Sequence, residues 1–310
     1  MRLGVSLRSF YPAGDVRALA QQMVERARAV SDAGVDYLLV GDSHTTGPLP
    51  YFQNAPMLGR LLAEWSDGLA GILMALPLWN PVLAAEQIGT LASIAPGRFV
   101  LVGGLGNSRL YAPMGIDGSP IAARFESGLA IVRQLLAGER VDVDDEHFRV
   151  VGASIAPIPP EPVDVWIAAS APPAIDRAAR VGDGWLGVND LTREQARAQL
   201  AHYLERCDAH DRAPGVVAIR RDVYVGEDAA DAARVAGPVV ARRVASPHRH
   251  ERAPEEASVW GTAEDVAEQL LWYQELGYTD VVVRELADGH DDAVRSFERL
   301  AAVCELLRNA

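Results

Sequence analysis

The chain has 310 residues, 49% of them hydrophobic, which is enough to bury a large core in one or two domains. A formal net charge of −13 argues against nucleic acid or an anionic membrane as the main partner and leaves a small-molecule substrate as the expectation. The two cysteines, Cys207 and Cys304, fall in segments with a helical pattern, so neither a disulfide framework nor a thiolate metal site is expected.

Strand-like and helix-like segments alternate along the whole chain. Met1 runs directly into Leu3–Leu7, which reads as a first strand and not as a secretory signal. Asp15–Ala33 carries apolar residues at helical spacing and is followed by Gly34, a suitable stop. Tyr37–Val40 is a second strand, Ala55–Trp65 a helix, Leu69–Ala75 a third strand, Val82–Ile94 a helix, Phe99–Val102 a fourth strand and Arg124–Leu136 a helix. Gly138–Pro162 is polar and then proline-rich, and is expected to be a loop. Val163–Ala169, Trp185–Val188, Val216–Val225 and Thr279–Val283 complete a set of eight strands. The helices between and after them are Pro173–Val181, Thr192–His210, Ala229–Ala245, Thr262–Glu275 and Asp292–Leu307. Ser246–Ala257 reads as a charged loop, and its His248-Arg249-His250 shows no ligand spacing, so no metal is expected there. The longest apolar stretch, Leu69 to Leu78, is interrupted by Gly71 and Pro77 and is too short for a bilayer, so a soluble cytoplasmic protein is expected.

Eight strands alternating with helices imply a parallel sheet. An open doubly wound sheet predicts a Gly-x-Gly-x-x-Gly turn after the first strand. The turn here is Arg8-Ser9-Phe10-Tyr11-Pro12, so a single (β/α)₈ TIM barrel over residues 1–310, with loop insertions, is preferred. Its active site belongs at the C-terminal strand ends.

Four of those ends carry candidate chemistry. After the second strand come Asp42, Ser43 and His44, an acid and a histidine suited to acid–base work. After the third come Met74, Ala75, Leu76 and Trp79, an apolar turn that suits a flat ring or plain core packing. After the fourth, Gly104, Leu105, Gly106, Asn107 and Ser108 let backbone approach a ligand closely. After the fifth, Ala169, Ser170 and Ala171 open a helix in which Ser170 can be the cap and free amides can hold a phosphate.

Four stretches, in order, resemble the bacterial-luciferase-like monooxygenase superfamily, and within it the deazaflavin-dependent branch. They are Asn80-Pro81-Val82-Leu83-Ala84-Ala85-Glu86-Gln87 running to Pro96-Gly97-Arg98-Phe99; Gly104-Leu105-Gly106-Asn107-Ser108 with Arg124-Phe125-Glu126; Ala178-Ala179-Arg180-Val181-Gly182-Asp183-Gly184-Trp185; and Gly261-Thr262-Ala263-Glu264-Asp265-Val266-Ala267-Glu268. The resemblance implies a barrel oxidoreductase that passes hydride between coenzyme F420 and an organic substrate, as a homodimer. It implies a bulge with a non-proline cis peptide at Leu73–Leu76 behind the ring. It makes Asp42 and His44 the catalytic pair, although here a serine separates the two residues. Asp42, Met74, Ala75, Leu76, Gly104–Ser108 and Ala169–Ala171 form the expected cofactor shell; Phe10, Tyr11 and Trp79 are assigned to the substrate side. Asn107 stands where some relatives carry a catalytic glutamate. Val188-Asn189-Asp190 lacks the basic residues that hold a sugar phosphate, so glucose 6-phosphate is not expected as substrate. The alternatives are an FMN-dependent monooxygenase of the same fold and a non-catalytic flavin-binding protein.

Overall fold

Buried parallel strands must be apolar on both faces, and the strands of this chain meet that demand almost throughout. The computed structural model describes residues 1–117, 120–246 and 252–310. Its strands are β1 (Arg2–Leu7), β2 (Tyr37–Val40), β3 (Leu69–Ala75), β4 (Phe99–Gly104), β5 (Val141–Asp144), β6 (Arg149–Ala153), β7 (Asp164–Ala168), β8 (Gly184–Gly187), β9 (Val216–Val225), β10 (Ser258–Gly261) and β11 (Asp280–Glu285). The helices are α1 (Val16–Asp32), α2 (Asn54–Leu61), α3 (Pro81–Ile94), α4 (Ile121–Leu136), α5 (Pro172–Val181), α6 (Arg193–Ala209), α7 (Ala229–Ala245), α8 (Ala263–Leu276) and α9 (His290–Asn309).

One sheet runs β10-β9-β11-β1-β2-β3-β4-β7-β8, and β9 also pairs with β8, which closes eight strands into a barrel. Two compact units make up the chain: Met1–Arg8, Gln21–Leu38 and Trp166–Ala310 form the first, and Ser9–Ala20 with Leu39–Val165 form the second.

In the first unit, β9 is long enough to serve two neighbours in succession. Val216–Ile219 pairs with β8, and Asp222–Val225 pairs with β10. Strand β10 is absent from the expected elements because its four residues, Ser258-Val259-Trp260-Gly261, adjoin a charged loop that masks a short apolar run. The barrel interior here is filled by large rings. Tyr37 and Trp166 are fully buried and meet edge to face at 5.6 Å, although their strands are not neighbours in the sheet. Gly4 makes this possible: a Cβ there would lie 1.8 Å from the Tyr37 ring. Helix α8 starts on a Thr262–Asp265 capping box and stops at Gly277, whose φ of 117° a residue with a side chain rarely adopts.

In the second unit, β3 and β4 pair in parallel without a break from Ala70↔Phe99 to Ala75↔Gly104. Asn80 caps α3 by accepting the Val82 and Leu83 amides at 2.9 and 3.2 Å, and Pro81 takes the first helical position, where its missing N–H costs nothing. Residues 138–162, expected as a loop, contain the antiparallel hairpin β5–β6. Val141, Phe148, Val150 and Ile155 face α3 and α4, where they cover Ala85, Ile131 and Leu135. The segment is polar overall because only one face of this two-stranded ribbon is buried.

Candidate active site

The chain leaves β2 through Gly41 and turns Asp42 inward. The Asp42 side chain is 3% exposed. Its Oδ2 accepts two hydrogen bonds, from the Ala75 amide at 2.8 Å and the Trp79 indole Nε1 at 2.9 Å. Its Oδ1 lies 3.2 Å from His44 Nε2, too poorly aligned to count as a hydrogen bond in this geometry. The close approach to Asp42 raises the His44 pKa above its ordinary value, against burial, which lowers it. The His44 and Trp79 rings meet edge to face at 5.8 Å. Two strand-end turns therefore converge on one carboxylate, which fixes an indole on one oxygen and an imidazole on the other. The serine between Asp42 and His44 does not prevent the approach, and the chain then passes through left-handed backbone at Thr45, φ 47°.

The glycine turn after β4 meets the same group. Gly106 has φ 76°, and a Cβ there would fall 2.7 Å from the Ala75 Cβ. Asp42, His44, Ala75, Trp79 and Gly106 are thus brought together. Met74, Ala75 and Leu76 are buried and form an apolar floor under the turn. Gly106, Asn107 and Ser108 are exposed. Asn107 spends its side-chain oxygen on the Arg109 amide at 3.0 Å, so it caps a short 3₁₀ turn instead of acting as an acid. Leu105 presents its carbonyl to the Tyr111 hydroxyl at 3.1 Å.

Three expectations need correction. The cis bond found among the described residues is Ala156–Pro157, so the peptides of Leu73–Leu76 are trans, and the unbroken β3–β4 register leaves no bulge there. Ser170 does not cap α5: the cap position is Ala171, with no side-chain hydrogen bond. Nor does that helix start offer a row of amides. Pro172 and Pro173 have no N–H, and the next two amides, of Ala174 and Ile175, both return to the Ala171 carbonyl at 2.9 Å. Tyr11 is buried, 3% exposed, and packs edge to face on Phe52, whereas Phe10 stands 41% exposed with its backbone bridged to Tyr51. Ala169 is also buried, with its amide bonded to Leu186 and its carbonyl accepting from the Trp185 indole. Ser170 and Ala171 are exposed.

Sequence reasoning missed a second polar group, in the first unit. Asp222 on β9 is fully buried. It accepts from Arg284 Nε at 2.7 Å, from Arg284 Nη2 at 3.2 Å, from Asn189 Nδ2 at 2.7 Å and from Arg243. Burial alone pushes the Asp222 carboxyl up, but Arg284, Arg243 and Arg220 hold it well below the usual carboxylate range. The signal was present: Arg220, Asp222 and Arg284 are charged residues inside otherwise apolar strands. Among the described residues, no three His, Cys, Asp or Glu side chains are placed to share a metal ion. His248 and His250 lie outside the described residues. Cys207 and Cys304 are buried free thiols. None of the described helices is long and apolar enough to cross a membrane.

Comparison with known proteins places this geometry in a family. A chain from Beutenbergia cavernae, an F420-dependent glucose-6-phosphate dehydrogenase, is 30% identical, with 95% of each chain covered. The protein of the same description from Intrasporangium calvum is 27% identical over 91% of this chain and 93% of its own. Among solved structures, monooxygenase RslO1 from Streptomyces bottropensis superposes with a TM-score of 0.81 at 20% identity, covering 97% of this chain and 98% of that one. An F420-dependent secondary alcohol dehydrogenase holding an F420–acetone adduct superposes with a TM-score of 0.78 at 17% identity, with the same coverage. At such identities these structures speak for the barrel alone. The family model for luciferase-like monooxygenases matches residues 1–280, and the chain belongs to that family.

Proposed function

We propose that this chain is an oxidoreductase that passes hydride between coenzyme F420 and an organic substrate at the C-terminal ends of β2, β3 and β4. The observation that carries the reading is the Asp42–His44–Trp79 group on its apolar floor, in a chain 30% identical over nearly its whole length to an F420-dependent dehydrogenase. The residues suit a planar coenzyme. Buried Asp42 Oδ1 and His44 Nε2 lack an aligned hydrogen-bond partner, and the Gly106–Ala75 contact leaves no Cβ above the Met74–Leu76 floor.

When bound, the coenzyme supplies the two-electron chemistry; the protein supplies position and proton control. Asp42 orients His44 through Nε2, which leaves Nδ1 to exchange a proton with the reacting oxygen or carbon of the substrate. The nearby Asp42 carboxylate raises the His44 pKa, which favours the protonated ring. Trp79 closes the site against water on the side of Asp42 Oδ2. Exposed backbone at Gly106–Ser108 takes over the ligand-holding role expected of the α5 start, where the prolines remove the donors.

Absorbance titration of the purified protein with F420 and with FMN tests the reading. Tight F420 binding and substrate-dependent change of the deazaflavin band are expected. Tight FMN binding without F420 binding would favour the monooxygenase alternative, which has a fold precedent in an FMN complex of 3,6-diketocamphane monooxygenase from Pseudomonas putida, TM-score 0.81 at 15% identity. Binding of F420 with no turnover on a broad panel of alcohols, aldehydes and enones would favour the non-catalytic reading.

A further inference from the structure

The arginine group around Asp222 has more positive charge than its own residues balance. Arg220 and Asp222 lie two apart on β9 and share a face, and Arg284 on β11 stands in register with Asp222. Arg221, on the opposite face, turns out to the Tyr273 hydroxyl of α8 at 2.6 Å, so Arg220 and Asp222 point into the barrel. Arg243 of α7 and Asn189, just past β8, reach the same carboxylate. Arg8, just past β1, donates to the Glu285 carbonyl at 2.8 Å and feels the charges of Arg284 and Asp222.

The charges do not cancel. Among the described residues, Arg220, Arg243 and Arg284 face one buried anion, Asp222, with exposed Asp190 also acting on Arg220, which leaves a surplus of about one positive charge. Arg8 pairs with the exposed Asp288 at 3.9 Å. Glu285, which is buried beside Arg8, does not compensate at neutral pH, because burial pushes its carboxyl up to about 8. The donors are not all used either. Arg220 gives one guanidinium nitrogen to Asn189 Oδ1, while its Nε is buried with no hydrogen-bond partner. A buried cationic donor without an acceptor is costly, and its cost is relieved by a matching anion.

We propose that Arg220 and Arg8, backed by the Asp222 group, form the subsite for a carboxylate of the substrate. The planar two-oxygen acceptor is the chemistry the group already holds in Asp222, where Arg284 uses its Nε and Nη2 as a fork. A single carboxylate group matches a surplus of about one charge, and each carboxylate of a ligand such as succinate costs less to desolvate than a phosphate group that concentrates two charges. Arg8, Asn189 and Arg284 sit at or just past the C-terminal ends of their strands, and Arg220 directly follows Ile219, the last β9 residue paired with β8, which places the group at the end of the barrel where such enzymes bind substrates. The basic residues missing from Val188-Asn189-Asp190 are thus supplied by β1, β9 and β11. The subsite extends the deazaflavin reading to a substrate class, and its test is run without coenzyme so that the two fail separately.

The test is calorimetric titration of the coenzyme-free protein with succinate at constant ionic strength held by chloride, with inorganic phosphate in a parallel arm. Saturable succinate binding, tighter than phosphate, is expected. Arg220→Gln and Arg8→Gln should each weaken it by about tenfold or more, the loss expected for one charge-assisted contact. Asp222→Asn should tighten it, since the internal competitor loses its charge; a merely structural cluster would not respond in that direction. Arg193→Gln, on the far surface against Trp272, should leave it unchanged. Four outcomes overturn the proposal: no saturable binding to the unaltered protein, tighter binding of phosphate, equal binding by both arginine variants, or displacement of succinate by added F420. The last would give the arginines to the anionic tail of the coenzyme.

Discussion

At the scale of single residues, the acid after β2 organises its surroundings more than the histidine does. Asp42 contacts His44, Trp79 and the Ala75 amide at once, so Asp42→Asn should disturb all three. The His44 pKa, followed by its ring-proton NMR signals in the coenzyme-free protein, should fall towards the ordinary histidine value in that variant. Turnover should drop by about a hundredfold, a usual cost of losing a positioned acid–base group. The sign of the pH effect follows from the direction of the shift. The folded-state His44 pKa exceeds the unfolded value of 6.5, so the stabilisation from this pair is complete below that pH and is lost as pH rises through the raised value. Trp79→Phe should be milder, at about 1 kcal/mol of stability by chemical denaturation, because Ala75 still satisfies the shared oxygen. Asp42, His44 and Trp79 were legible in the sequence because they are polar or aromatic residues at strand ends. Tyr11 was less legible, because nothing in the chain distinguishes a ring packed on Phe52 from one that faces a ligand.

Elements were legible where burial writes a period, and illegible where it does not. Val216–Val225, Leu69–Ala75 and Ala229–Ala245 match their expected bounds, since apolar runs and helical spacing are direct consequences of burial. The hairpin β5–β6 and strand β10 escaped notice because each is short and is flanked by polar or proline-rich chain. The trans backbone at Leu73–Leu76 was equally invisible, since family habit and not side-chain chemistry suggested otherwise. The turn after β4 provides the test at this scale. Gly106→Ala places a Cβ 2.7 Å from Ala75 in a left-handed backbone, which should cost about 1–3 kcal/mol and lower the thermal midpoint. If coenzyme binding depends on this turn, affinity should fall in the same variant by more than stability does. Asn80→Ala, which removes the α3 cap, should cost about 1 kcal/mol with coenzyme affinity unchanged.

For the whole molecule, the barrel followed from counting alternations, but its buried charges did not. Arg220 and Asp222 on β9 and Arg284 and Glu285 on β11 lie some sixty residues apart in the chain, and only the parallel pairing of these two strands brings them near one another. Glu285 gives a global prediction. Its folded pKa of about 8 lies above the unfolded value of 4.5, so its contribution favours folding below 4.5 and is lost as pH rises through about 8. Glu285→Gln should flatten the decline in stability over that range, measured as unfolding midpoints in denaturant at a series of pH values. Unchanged pH dependence in the variant would mean that the carboxyl is ionised in the native state.

The two prolines that open α5 have an engineering corollary. A helix start is a ready socket for anions, and here both contacts have been removed at the level of covalent structure. Pro173→Ala would restore one amide without touching any side chain near Asp42 or Arg220. A gain in affinity for phosphate-bearing ligands in that variant would show that the prolines act as a selectivity filter at this rim, written in the backbone.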